Sequence, residues 1–322
     1  MPRWTKIILK VAGVLFAIVL IGWIAFAAYV HTHKKELLAS ITTQLNDDLS
    51  GSLTIGKMEP ALIQGFPGIS VTLTNILVRD SLWKQHKHDV LSAEEAYVSV
   101  DALSVLSGNP TIKNITINNG QLYFFTDSLG YSNTNIFKKK SPTEKEGGIR
   151  KKRINRINLL NVRLVNENQQ RSKLFDFNIA FFNGRIRYNN KGWKGNGDFS
   201  ALVNSLAFNT DRGSFLKNKK VQGSMEMNFD DETQNLTVPM QDIKIDETDF
   251  ELGGMFSLDK KNTDFALDIK TSSITLKEAS SILLPKVSAK LKRYQLDKPI
   301  SASASIRGRL KSGVDPLINA TW

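Results

Sequence analysis

Few residues in this chain are of a type that does chemistry, and their spacing suits it poorly. Histidine occurs four times, as His31, His33, His86 and His88, and cysteine never, so thiolate metal sites, cysteine nucleophiles and disulfides are excluded. His86-Lys87-His88-Asp89 brings ligand types close enough to trap a stray metal ion, but the polar run from Lys84 to Asp89 reads as a solvated loop. Glu94-Glu95 and Asp230-Asp231 are adjacent pairs that point to opposite faces of a strand or sit in a turn, poor geometry for acid and base work. No glycine-rich phosphate loop and no Gly-x-Ser-x-Gly elbow is present. Asn114-Ile115-Thr116 and Asn235-Leu236-Thr237 match a glycosylation acceptor. The expectation is a protein that is not an enzyme, with no catalytic residue, no cofactor and no metal.

The elements that would position any function begin with a membrane segment. Val11 to Val30 carries no charge, and Ile7, Ile8 and Leu9 extend the apolar run to about 24 residues. At 1.5 Å of rise per residue, a helix of that length spans a hydrocarbon core roughly 30 Å thick. Trp4, Trp23 and Tyr29 lie toward its ends, where aromatic rings favour the interface. The competing reading is a cleaved signal ending at Ala25-Phe26-Ala27, but a cleavable apolar core is shorter, about 7 to 15 residues. Arg3, Lys6 and Lys10 precede the helix, while Lys34 and Lys35 follow it beside Glu36. The basic excess places the N-terminus in the cytoplasm and exports the chain beyond about residue 33.

The net charge of +12 and the isoelectric point near 9.6 call for an acidic partner. For a membrane-tethered domain the natural partner is acidic lipid head groups, at roughly 1 kcal/mol per surface-proximal Lys or Arg. Nucleic acid is set aside because of the anchor.

After the anchor, Leu37, Leu38, Ile41, Leu45 and Leu49 share one face of a short amphipathic helix that Gly51 ends. That stripe either lies on the membrane or lids a domain core. From Leu53 the period changes to two. Ile69, Val71 and Leu73, then Ala96, Val98 and Val100, then Ile115 and Ile117 alternate with polar residues. Ala102 to Leu106 reads as one helical turn, and Asn118-Asn119-Gly120 as a hairpin turn, since Asn and Gly tolerate positive φ. Lys138 to Arg153, rich in Lys and Arg, reads as a solvated linker.

The alternation resumes at Leu160, Val162 and Leu164, and runs through Phe175, Phe177, Ile179 and Phe181, Phe199 to Val203, and Met225 to Phe229. It continues through Leu236, Val238 and Met240, Phe250 to Leu258, and Phe265 to Ile269. Leu276 to Leu284 reads as one helix ended by Pro285, and Ser301 to Leu310 as a strand. Short strands separated by tight turns predict an antiparallel meander. The organisation expected is residues 1–33 as cytoplasmic start and anchor, 34–137 as a membrane-proximal module, 138–153 as linker and 154–322 as a repetitive β region that continues past Trp322. About a dozen one-sided strands must cover their apolar side by closing, by pairing with a second sheet, or by curling into an open trough.

The first 140 residues resemble the N-terminal region of AsmA-like proteins of the Gram-negative envelope. The resemblance rests on the anchor, on the helix leading into Gly51-Ser52-Leu53-Thr54-Ile55-Gly56, and on Phe66-Pro67-Gly68-Ile69 with the strand after it. Leu91 to Val100, Ile112 to Leu122 and the closing Gly130-Tyr131-Ser132-Asn133 follow in the family's order. The resemblance implies a mainly β fold: a transmembrane helix, a short amphipathic helix, then an elongated, curled antiparallel sheet forming an open β-groove. It also implies a role in phospholipid transport between inner and outer membranes, with the C-terminal domain in the periplasm and other envelope proteins as further partners. The residues expected to face lipid acyl chains are Val71, Val98, Ile117, Phe177, Ile179, Met227, Phe256 and Leu267. The alternative is a scaffold for outer-membrane protein biogenesis whose apolar face a protein partner covers. At about 4.8 Å per strand the groove would be roughly 60 to 70 Å long.

Overall fold

The computed structural model describes residues 21, 24, 28, 32, 49–60, 69–100, 112–137, 154–259, 264–291, 293–296, 298–309 and 316–322. Ile21, Ile24, Ala28 and Thr32 are helical. Most of the anchor, the Leu37 to Leu49 helix apart from Leu49, the Ala102 to Leu106 turn and the whole 138–153 linker lie outside the described residues. Among the described residues no helix is long and apolar enough to cross a membrane.

One open sheet organises the chain. Its strands are β1 (Gly51–Pro60), β2 (Ile69–Asp80), β3 (Leu91–Val100), β4 (Ile112–Thr126), β5 (Arg156–Asn168), β6 (Lys173–Asn189) and β7 (Gly192–Asn209). They continue as β8 (Gly213–Phe215), β9 (Lys219–Asp230), β10 (Asn235–Ile245), β11 (Thr248–Ser257), β12 (Asp264–Ile274), β13 (Ile300–Arg309) and β14 (Leu317–Thr321). Neighbours in sequence are neighbours in space, except that the three-residue β8 stands aside on β7 while β9 takes the place beside it. Among the described residues β1 and β14 do not pair, so the sheet has two ends.

The expected all-antiparallel meander is wrong at one place: β4 and β5 run parallel, from Asn114↔Arg156 to Thr126↔Asn168. A parallel pair needs a connection that returns along the full strand, and a 3-10 turn at Asn133–Phe137 begins that return. The same pairing puts both expected β modules into one sheet.

Asn118-Asn119-Gly120 is not a hairpin turn either. Asn119 does take a positive φ of 51°, but β4 runs through it without reversing. The reason is visible across the sheet. The pairs flanking Gly56/Asn75, Asn75/Glu94, Glu94/Asn119, Asn119/Asn161 and Asn161/Ala180 all form, while those five pairs drop out of the ladder. The skipped residues line up as a crease crossing β1 to β6. Asn75, Asn119 and Asn161 meet it with φ of 53°, 51° and 54°, a left-handed conformation that asparagine adopts at small cost. At the β6–β7 pair the crease ends in a register shift between Ile179 and Phe181, with Ala180 the extra residue.

The crease slips the alternation by one residue in each strand it crosses. Leu160 and Phe181, expected on the apolar side, therefore pair with each other on the other face and are 52% and 37% exposed. A second shift, between Val238 and Gln241, leaves Met240 exposed. The C-terminal helical region also differs from expectation. Helix α1 (Leu276–Ile282) starts in a capping box between Thr275 and Glu278, and Pro285 opens α2 (Pro285–Leu291) instead of only ending the helix before it. Proline at a first helical position loses no hydrogen bond, because that N–H is unsatisfied anyway.

Candidate functional site

Cross-strand partners point to the same side of a sheet, so the register can be followed as rows running across strands. One row passes Leu53, Val78, Leu91, Leu122, Leu164, Phe177 and Val203. The next passes Ile55, Ile76, Ala93, Gly120, Val162, Ile179, Ala201, Val221 and Ile245. Across the crease lie Met58, Leu73, Ala96, Ile117, Leu159, Phe182 and Phe199, and then Val71, Val98, Ile115 and Ile157. These rows hold no charged side chain. One face of the sheet is thus apolar without interruption from β1 to the middle strands.

The face then changes character. Rows over β1 to β6 form one buried cluster, in which Val162 is 1% and Met58 3% exposed. A second cluster, Ile243, Ile245, Phe250 and Ile274, is capped by Ala279 and Ile282 of α1. Between and beside them the wall is half-exposed. The row Tyr188, Trp193, Phe229, Leu236, Phe256 and Phe265 belongs here, as do Met225, Met227, Leu267 and Ile306. Trp193 stacks on Phe229 at 5.8 Å and Phe256 on Phe265 at 6.3 Å. A Cβ at Gly184 would lie 2.6 Å from the Phe182 ring, and one at Gly197 would lie 2.9 Å from the Asn183 carbonyl oxygen. Glycine there lets the ring lie against the backbone and keeps the wall smooth.

All eight residues expected to line a groove lie on this face. Val71, Val98 and Ile117 are buried in the first cluster, while Phe177, Ile179, Met227, Phe256 and Leu267 are half-buried. Sequence reading missed Trp193 and Tyr188 as part of the half-exposed wall. The signal for Trp193 and Tyr188 was present, since each stands at apolar phase beside the turn at Asn189-Asn190-Lys191.

The histidine segment is a different place altogether. His86 and His88 were expected in a solvated loop, but the His86 side chain is 8% and the Asp80 side chain 0% exposed. His86 Nε2 lies 2.9 Å from Asp80 Oδ1, and His86 Nδ1 accepts the backbone N–H of His88 at 3.1 Å. Tyr131 donates its hydroxyl to Asp80 Oδ2 at 2.5 Å, and the Leu82 N–H donates to the same oxygen. Burial and the Asp80 bond push the Tyr131 hydroxyl pKa up. His86 Nδ1 is taken up by the His88 amide, and Nε2 lies beside Asp80 Oδ1 inside the buried cluster.

His88 stacks on Tyr123 at 4.3 Å and packs against Phe125. Burial lowers its pKa, with Glu167 and Asp89 pulling the other way. Tyr123 donates to Glu167 at 2.5 Å and its pKa is raised, first by burial and then by that carboxylate. The buried Asn133 closes the segment: Oδ1 accepts the Phe125 N–H at 2.9 Å, and Nδ2 donates to the Tyr123 carbonyl at 2.8 Å. This cluster locks the β2–β3 connection and the 3-10 turn onto β4. The polar sequence misled because tertiary packing, absent from local pattern, buries it.

Among the described residues no group of three or more His, Asp or Glu side chains is placed to hold a metal ion. The chain matches no protein-family model and no curated protein.

Proposed function

We propose that the sheet is the wall of an elongated, curled trough, tethered to the inner membrane by the N-terminal apolar segment, that shelters phospholipid acyl chains in the periplasm. On this reading the chain is an AsmA-like protein, acts without enzymatic chemistry, and serves phospholipid transport between membranes and outer-membrane integrity.

One observation carries the proposal: apolar rows in register across successive strands, half-exposed along Trp193, Phe229, Leu236, Phe256 and Phe265. Drawing an acyl chain of about 16 carbons into water costs near 12 kcal/mol at ~0.8 kcal/mol per CH₂, a factor of roughly 10⁹ in population. A lipid crossing an aqueous gap therefore requires an apolar surface that does not stop. A half-exposed wall of aromatic rings and methionines, whose thioethers adapt to irregular shapes, meets that requirement.

Native mass spectrometry of the full chain, followed by lipid extraction, tests the proposal. Bound phospholipid at near one or more equivalents supports it. A lipid-free protein carrying a stoichiometric protein partner on this face would support the scaffold role in its place.

A further inference from the structure

We infer that the crease across β1 to β6 is a hinge line, along which the two walls of the trough swing to admit ligand to the part of the lining that is now buried. The inference rests on the reading of the apolar face as a lipid-holding surface and concerns how that surface is regulated.

The crease has the construction of a hinge. Five successive residue pairs drop out of the ladder in line, so the continuous backbone hydrogen bonding that stiffens a sheet is interrupted along one axis. What joins neighbouring strands along that axis is side-chain bonding on exposed atoms: Asn119 Nδ2 donates to Glu94 Oε2 at 2.9 Å, and Asn161 Nδ2 donates to Asn119 Oδ1 at 2.8 Å. Such bonds exchange with water at little cost. On each side of the line the pairs follow one another in register, apart from one shift between Ser99 and Val100 on β3.

Its extent matches the need for movement. Ile76, Val162 and Leu73 flank the crease on the apolar side and are 4%, 1% and 9% exposed, so no acyl chain reaches them in this conformation. Past the bulge at Ala180 the crease stops, and the lining around Met225, Met227 and Phe229 is already half-exposed. Beside the crease the lining is closed on β1 to β5 and half-buried on β6, where the crease ends. Small residues or loops absorb the change in most hinges; here left-handed asparagines stand in for them.

The chain has no cysteine, so paired spin labels can be placed without background. Labels at Arg156→Cys and Asn166→Cys stand on β5 astride Asn161, and labels at Lys194→Cys and Leu202→Cys stand on the uncreased β7; all four sites are exposed. Distance distributions are recorded on the full chain, delipidated in amphipol and then in nanodiscs of phosphatidylethanolamine and phosphatidylglycerol. The expected result is a β5 distribution about twofold broader than the β7 one without lipid, and one that shifts when lipid is supplied. Equal widths on β5 and β7, unchanged by lipid, would overturn the hinge. A broad β5 distribution that ignores lipid would uphold the hinge and sink the lipid reading instead.

Hydrogen exchange on the unlabelled protein gives a second readout. Amides at Asn75-Ile76, Asn119-Gly120 and Asn161-Val162 should exchange at least about tenfold faster than those two residues away, and uniform protection would overturn the inference.

Discussion

Asn133→Ala is the most informative single change in the lock between the 3-10 turn and β4. Asn133 is fully buried and makes two bonds to the β4 backbone, accepting from the Phe125 N–H and donating to the Tyr123 carbonyl. Alanine removes both partners at once. Each stranded buried group costs about 1–3 kcal/mol, and the vacated volume adds to that, so the loss should be about 3 kcal/mol. Urea unfolding of the full chain, followed by the change in midpoint at constant slope, measures it. Asn135→Ala, two residues on and half-buried, should cost under about 0.5 kcal/mol. The Phe125 amide should also lose its exchange protection selectively. A midpoint within about 0.5 kcal/mol of the parent, or a Phe125 amide still protected, would refute the assignment of Asn133 as the lock.

Three further expectations concern the packing around the candidate surface. Burial holds the pKa of His88 below its ordinary 6.5, so the unfolded chain binds the proton first; stability should be unaffected above about pH 7 and fall as pH drops through 6.5 toward the folded value. His88→Gln should flatten that slope in thermal unfolding scans, and an unchanged slope would point to another group. Gly197→Ala places a methyl 2.9 Å from the Asn183 carbonyl oxygen and 3.0 Å from the Gly184 Cα, both backbone, so it should cost about 1–3 kcal/mol by urea midpoint. Thr275→Ala removes the oxygen that accepts the Glu278 N–H and should cost about 1 kcal/mol, with α1 fraying first by hydrogen exchange.

Alternation by twos was enough to find nearly every strand and the apolar face, because a half-solvated sheet must separate its two sides. Val71 and Leu73, or Phe256 and Phe265, could be placed that way. The crease was also written in the sequence: Ile115 and Ile117 are followed in phase by Gly120 and Leu122, and Ile157 and Leu159 by Val162 and Leu164. That slip of one residue, with asparagine at the slip, was read as a turn at Asn119 and passed over at Asn161. A single strand cannot distinguish the two, since both require a positive φ, and only the coincidence of slips in neighbouring strands separates crease from reversal. The parallel β4–β5 pair and the buried His86 depend on which distant segments meet. Local pattern does not encode those contacts.

The central claim is that the apolar face, and not its opposite, touches lipid. Photocrosslinking side chains placed singly at Trp193, Phe229, Leu236 and Phe256, and at the opposite-facing Glu226, Thr237 and Met255, test it in the native membrane. The expected result is crosslinking to phospholipid at the first four positions and none above background at the other three. Labelling that ignores the face, or no lipid adduct at any position, would contradict it.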